Sequence, residues 1–311
     1  MRKLTCWLLI VSCFLVTACA SQTSPKIDLS KAFNSNLAEV KNPNIVNPSP
    51  VDQDNVYYFG FDRRLEIKED VRMYVPLLRY LERETGYKFK LHITPKNASI
   101  ANELGTGQVH FAAVGTVSFL QAYQKYKVLL LARGVGENDG YYRAVIIVRP
   151  DSKIKNVGEL KGHSFAFGAP NSTQGHLIPR LMLANAGISL RDLKSFGYMG
   201  SHAETANAVM SGQFEAGGVQ DSLGKALASR GLVRIIGQST LYPRSGIVAA
   251  PSVPPEVREA VKKALLNFDP TGKDKEGLYN WQMSEMPKGF AAAKLDEYLV
   301  LEKQAREFGI L

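Results

Sequence analysis

Two hydroxyl residues open the most suggestive stretch of this chain, Ser172 and Thr173 in "FGAPNSTQGHLIPRLMLANAGISL". They stand where a β-like run gives way to an amphipathic helical run. Ser and Thr at a helix start cap its orphan N–H groups. The same N–H groups, backed by the helix dipole, also bind small anions, and the residues leave both readings open. Other chemistries are poorly supplied. The cysteines, Cys6, Cys13 and Cys19, all lie in the opening segment, which leaves the remainder without a thiol nucleophile, disulfide or cysteine metal site. His92, His110, His163 and His176 share no metal-ligand spacing, and His176 is expected to face away from any site at the helix start. "LGTGQVHFAAVG" lacks the phosphate-loop lysine and the dinucleotide fingerprint, so it reads as a helix end and turn. Ser172 lacks a nucleophile-elbow context. A binding role is expected rather than an enzyme, with no metal or cofactor. The formal charge of +9 is scattered and no nucleic-acid signature appears, so the basic balance suits an anionic ligand or a membrane surface.

The elements that must hold such a site begin after residue 54. "MRKLTCWLLIVSCFLVTACASQ" has a short basic start, an apolar run and small residues before Cys19, the pattern of a secretory signal. "LVTAC" resembles the bacterial lipobox, which makes residues 1–18 a lipoprotein signal and Cys19 a lipidated anchor. Residues 19–54, rich in Ser, Asn and Pro, read as a flexible leash. From there, strand-like and helical patterns alternate, as in "NVYYFGF", "VRMYVPLLRYLERETG" and "KFKLHIT", so a parallel or mixed α/β sheet is expected. The alternation restarts at "YYRAVIIVRP", and "GIVAAP" returns to the first unit. Residues 55–145 with 242–311 form one expected lobe and 146–241 a second, inserted lobe. Two crossings joining two lobes make a hinge around a cleft.

At "APNSTQGHLIP", "GSHAETANAVMSGQFEAGGV" and "LGTGQVHFAAVG" the chain resembles the substrate-binding proteins of phosphate, phosphite and phosphonate ABC importers, a branch of the type 2 periplasmic binding proteins. The resemblance runs from about residue 56 to 270 and implies roles residue by residue. It puts Ser172 and Thr173 on the phosphonate oxygens, joined by backbone N–H groups at Gln174 and Gly175. It also implies His202 from "GSHAE" and Tyr141 before the crossing strand, with Tyr142 as the neighbouring candidate. Two hydroxyls, a helix start, an imidazole and a phenol supply donors to a tetrahedral oxyanion without a compensating lysine.

The departures also carry information. Where relatives place a second tyrosine, this chain has Asn97, with Ser99 on the same loop; Val114 replaces an aromatic position, leaving Thr116 and Ser118 as donors. Asp221 in "GGVQDSLG" is either a helix cap or an acceptor selecting a ligand with a proton or amine to give. The expectation is a monomeric lipoprotein of the cell envelope, facing the periplasm or the exterior. It would capture a small phosphorus oxyanion between its lobes and deliver it to an ABC permease. The alternatives are a sensor of the same fold serving a membrane signalling protein, or a receptor for another small anion.

Overall fold

The computed structural model describes residues 56–95 and 98–311; Cys19, expected to carry the lipid, the segment before β1 and Asn97 lie outside the described residues. β1 (Val56–Phe61) is followed by α1 (Ile67–Thr85), β2 (Lys88–Leu91), α2 (Ile100–Thr106), β3 (Phe111–Val114), α3 (Thr116–Tyr126) and β4 (Leu129–Gly134). β2 and β3 flank β1, both parallel to it. α1 buries Met73, Tyr74, Leu77 and Leu81 at helical spacing against this sheet. It stops at Gly86, whose φ of 75° carries its N–H onto the Glu82 carbonyl.

The chain leaves this lobe through β5 (Tyr141–Tyr142) and enters the second at β6 (Ala144–Val148). There follow β7 (Ser164–Phe167), a π-turn over Thr173–Leu177, α4 (Ile178–Asn185), β8 (Ser195–Tyr198), α5 (His202–Met210), β9 (Ala216–Gln220), α6 (Asp221–Ser229) and β10 (Arg234–Gln238). β11 (Tyr242–Pro243) pairs antiparallel with β5 and returns the chain to β12 (Gly246–Ala249). α7 (Pro255–Asn267), β13 (Phe290–Ala291), α8 (Leu295–Leu299) and α9 (Glu302–Glu307) complete the order.

Two sheets result, ordered β13-β4-β12-β3-β1-β2 and β10-β6-β9-β7-β8. In each, the strand laid down after a crossing runs antiparallel to its neighbours, β12 against β3 and β4, β6 against β9 and β10. β6 shows why "AVIIV" is wholly apolar: Ile146 and Val148 enter the core on one face, Val145 and Ile147 the core on the other. α4 packs tightly onto β9 because Gly218 has no side chain; a Cβ there would lie 2.4 Å from Pro179. The loops after β1, β3, β7 and β8 all leave the carboxyl ends of parallel strands, the place where open α/β sheets bind ligands.

Candidate functional site

Those loops line a cleft of about 670 Å³ between the lobes. The loop after β1 brings Asp62, Arg63 and Arg64 to it, and the buried Asp70 of α1 fixes the loop by accepting the Arg64 N–H at 3.1 Å and the Leu65 N–H at 3.2 Å. Burial lifts Asp70 to about 6 even so, the two amides opposing. Arg64 is 4% exposed. Its guanidinium donates to Ser245 Oγ at 2.8 Å and lies 3.6 Å from Glu285, which Arg244 also approaches at 3.5 Å. Burial alone would favour the neutral guanidine, but Glu285, together with Tyr74, Asp62 and Tyr142, outweighs it and holds Arg64 charged. Asp62 accepts the Gly115 N–H at 2.8 Å and the Ser118 hydroxyl at 3.0 Å, and burial raises its pKa against those bonds.

The second lobe contributes the π-turn. Ser172 Oγ accepts the Gly175 N–H at 2.9 Å, while the Leu177 N–H reaches back to the Ser172 carbonyl at 3.0 Å. Thr173 Oγ1 accepts the Val117 N–H at 2.9 Å across the cleft. Gln174 is anchored through its side-chain N–H to the Arg143 carbonyl at 2.8 Å. His202 opens α5, and its Nδ1 accepts the Gln220 N–H at 3.3 Å, so the ring proton sits on Nε2. Burial, with Arg64 nearby, pushes His202 down to about 3 and keeps it neutral. A histidine with one nitrogen occupied and the other protonated has no free base, so it can donate to an anion but cannot activate a serine.

The polarity of the cleft follows from these bonds. Ser172, Thr173 and Ser245 each accept from an N–H group, which leaves their own hydroxyl protons to give. The Tyr142 phenol, 1% exposed, has no partner among the described residues, and the hydroxyls of Thr116 and Thr173 are its neighbours. Ser99 lines the cleft too, and its hydroxyl caps no amide of α2. Donors from both lobes converge with one fixed guanidinium, an arrangement suited to an oxyanion.

Ser99, Ser172, Thr173, Gln174 and His202 line the cleft. Four expected residues do not. Tyr141 pairs with Pro243 in the crossing ribbon, with the Arg133 guanidinium 5.3 Å from its ring centre, and the alternation of the strand presents Tyr142 instead. Thr116 is fully buried behind Tyr142. Gly175 has its N–H committed to Ser172, and serves packing: a Cβ there would meet Ser172 Oγ at 2.8 Å and the Gly168 Cα at 3.1 Å. Asp221 begins α6 away from the cleft, accepting the Ser222 N–H at 3.0 Å and pairing with Lys225 at 3.7 Å. The carboxylates that line the cleft are Asp62 and Glu204, the latter 3.7 Å from Arg63. Ser118 instead holds Asp62 and accepts from Asn171 of the second lobe at 2.8 Å.

His176 corrects the sequence reading: it lines the outer cleft. Its Nδ1 meets the Pro170 carbonyl at 2.6 Å and its Nε2 the Tyr198 hydroxyl at 3.1 Å, and burial lowers it to about 4. Sequence reasoning also missed Asp62, Arg64 and Ser245. The one available signal was "DRR" placed directly behind a strong β-run, since a charged cluster at a parallel strand's carboxyl end stands where ligands bind.

Comparison with known proteins gives the same direction. Residues 65–298 match the family described as ABC transporter, phosphonate, periplasmic substrate-binding protein. A probable ABC transporter phosphite binding protein of Prochlorococcus marinus is 29% identical over 167 residues, 50% of this chain and 50% of that protein. The phosphonates-binding periplasmic protein of Escherichia coli is 28% identical over 217 residues, 66% of this chain and 64% of that one. The chain thus spans about half to two thirds of the length of these relatives. Among solved structures, a Prochlorococcus marinus protein in complex with methylphosphonate superposes with a TM-score of 0.74 at 20% identity, covering 83% of this chain and 100% of that chain. A binding protein component of a Pseudomonas aeruginosa ABC phosphonate transporter gives 0.71 at 21% identity, covering 81% and 86%. These likenesses establish the two-lobed fold of type 2 periplasmic binding proteins, one lobe inserted in the other.

Proposed function

The chain belongs to the family of periplasmic substrate-binding proteins of phosphonate ABC transporters, and from that premise we propose that it captures a small phosphorus oxyanion in the interlobe cleft and delivers it to an ABC permease. One observation carries this reading: the hydroxyls of Ser172, Thr173 and Ser245 each accept one N–H and keep a proton to give, around the Tyr142 phenol, which has no hydrogen-bond partner among the described residues. Phosphate, phosphite or a phosphonate would meet donors from both lobes. The ligand therefore favours the closed form by differential affinity, and a permease reads closure. The signal-like opening and Cys19 support a lipid anchor at the membrane surface, with the binding domain outside the cytoplasm.

The test is a thermal-shift panel of phosphate, phosphite, methylphosphonate and sulfate on the wild type and Tyr142→Phe. A ligand at a hundred times its dissociation constant stabilises by about 2.7 kcal/mol, a rise of several degrees for a protein of this size. Tyr142→Phe removes a hydroxyl with no hydrogen-bond partner among the described residues, so the unliganded melting point should hardly move. A hydrogen bond to a charged oxygen is worth roughly 1.5–3 kcal/mol, so the variant should bind about ten- to a hundredfold more weakly. No shift with any phosphorus oxyanion, in protein freed of carried-over ligand, would refute the reading.

A further inference from the structure

Resting on that reading of the inner cleft, we infer that the outer cleft is a second anion subsite built on Arg180, so that the ligand is an organophosphorus compound bearing a second acidic group and not an amine. The first ground is room. A bare tetrahedral oxyanion occupies about three water volumes, roughly 90 Å³. The cleft is about 670 Å³ and runs from Arg64, Tyr142 and Ser245 out to Arg180, Tyr198 and Phe308. That is the size of a site for an organic ligand.

The second ground is charge. Three arginines line the cleft, and two are paired, Arg63 with Glu204 at 3.7 Å and Arg64 with Glu285 at 3.6 Å. Arg180 has no carboxylate in ion-pair range among the described residues. His176 beside it is neutral and both its nitrogens are engaged, so no neighbouring group supplies or balances charge there. Burial disfavours the charged Arg180, a cost that an anionic partner would offset.

The third ground is orientation. One N–H of Arg180 donates to the Phe308 carbonyl at 3.0 Å, and the guanidinium carbon lies 4.3 Å over the Phe308 ring. The plane is thereby fixed, while the remaining N–H groups have no protein partner among the described residues. A guanidinium held this way presents a fork for a carboxylate or a second phosphoryl group. An ammonium would face a like charge, and a methyl group would leave the fork unpaired.

Calorimetric dissociation constants for methylphosphonate, 2-aminoethylphosphonate, phosphonoacetate, 3-phosphonopropionate and methylenediphosphonate, on wild type and Arg180→Gln, test this. Glutamine keeps an N–H for the Phe308 carbonyl while removing the charge. At least one doubly acidic ligand should bind tenfold or more tighter than methylphosphonate. Arg180→Gln should erase that gap and leave methylphosphonate within about twofold. A carboxylate or a second phosphoryl as the preferred group is told apart by which compound shows the gap. Methylphosphonate bound with no gap, a gap that survives in the variant, or 2-aminoethylphosphonate as the tightest ligand overturns the second subsite and leaves the phosphorus reading standing. An equal loss for every ligand makes Arg180 a clamp on Phe308 and overturns it too. No binding by any of the five sinks both.

Discussion

At the scale of single residues, the buried histidines govern how stability answers to pH. The unfolded chain takes up a proton on His176 below about 6.5, and the folded chain refuses it until about 4. Stability therefore falls as pH drops through that window, by about 1.4 kcal/mol per pH unit for each such group. His202, held to about 3, acts in the same direction. Asp70 acts in the opposite one: raised to about 6, it is protonated in the fold before the unfolded chain, so its contribution grows as pH falls from about 6 towards 3.8. The prediction isolates one group. His176→Gln should flatten the dependence of unfolding free energy on pH between roughly 6 and 4 by about one proton, and denaturant titrations at several pH values measure it. An unchanged slope would mean that His176 is charged in the fold.

At the scale of elements, the π-turn before α4 depends on a residue without a side chain. A Cβ at Gly175 would approach Ser172 Oγ, the Gly168 Cα and His202 Cε1, all within 3.2 Å, and the Gly168 backbone cannot step aside. Gly175→Ala should destabilise by about 1–3 kcal/mol. Because it displaces Ser172 and His202 together, it should also weaken ligand binding, whereas Ser172→Ala should lose the cap, about 1 kcal/mol, and a single donor to the ligand. Melting curves and calorimetry on the two variants separate these effects; equal stability of Gly175→Ala and wild type would refute the packing argument. The same turn marks how far the sequence could be read. The alternation of strands and helices and the double crossing were legible from local pattern, which also marked Ser172 and Thr173 as a helix start, while His202 came from the family resemblance. Tyr141 against Tyr142 was not, because one residue of register reverses the face of a strand. Arg64 and Ser245 were hidden for another reason: their bond joins positions 181 residues apart, and "DRRLE" alone reads as a solvated loop. Asp221 showed its helix-start position, but only packing decides whether such an acid faces a ligand.

At the scale of the molecule, closure is shared between the inner cleft and the C-terminal segment at its outer edge. Residues 308–310 reach both lobes: the Gln121 side chain of α3 donates to the Ile310 carbonyl at 3.0 Å, and Arg180 of the second lobe holds Phe308. Apolar contacts with Val117, Leu177 and Leu181 continue the bridge. Replacing Gln121 by alanine should lower the fraction of closed molecules. Weaker binding follows by the same factor for every ligand, since apparent affinity scales with the competent fraction. Stopped-flow dissociation rates should rise a fewfold to tenfold across the panel. An effect confined to one ligand would show that Gln121 acts by contact rather than through closure.

The carbonyl of Arg64 accepts the first amides of α5, His202 N–H at 3.1 Å and Ala203 N–H at 3.4 Å, so a loop of one lobe completes a helix of the other. Separating the lobes uncovers that helix end and its positive partial charge. An arriving anion thus meets bare amides and the positive field of the cleft arginines, whereas a retained one is gripped by Tyr142, the serines and Arg64. Capture and retention are then the work of different surfaces, so ionic strength should slow arrival far more than it hastens escape.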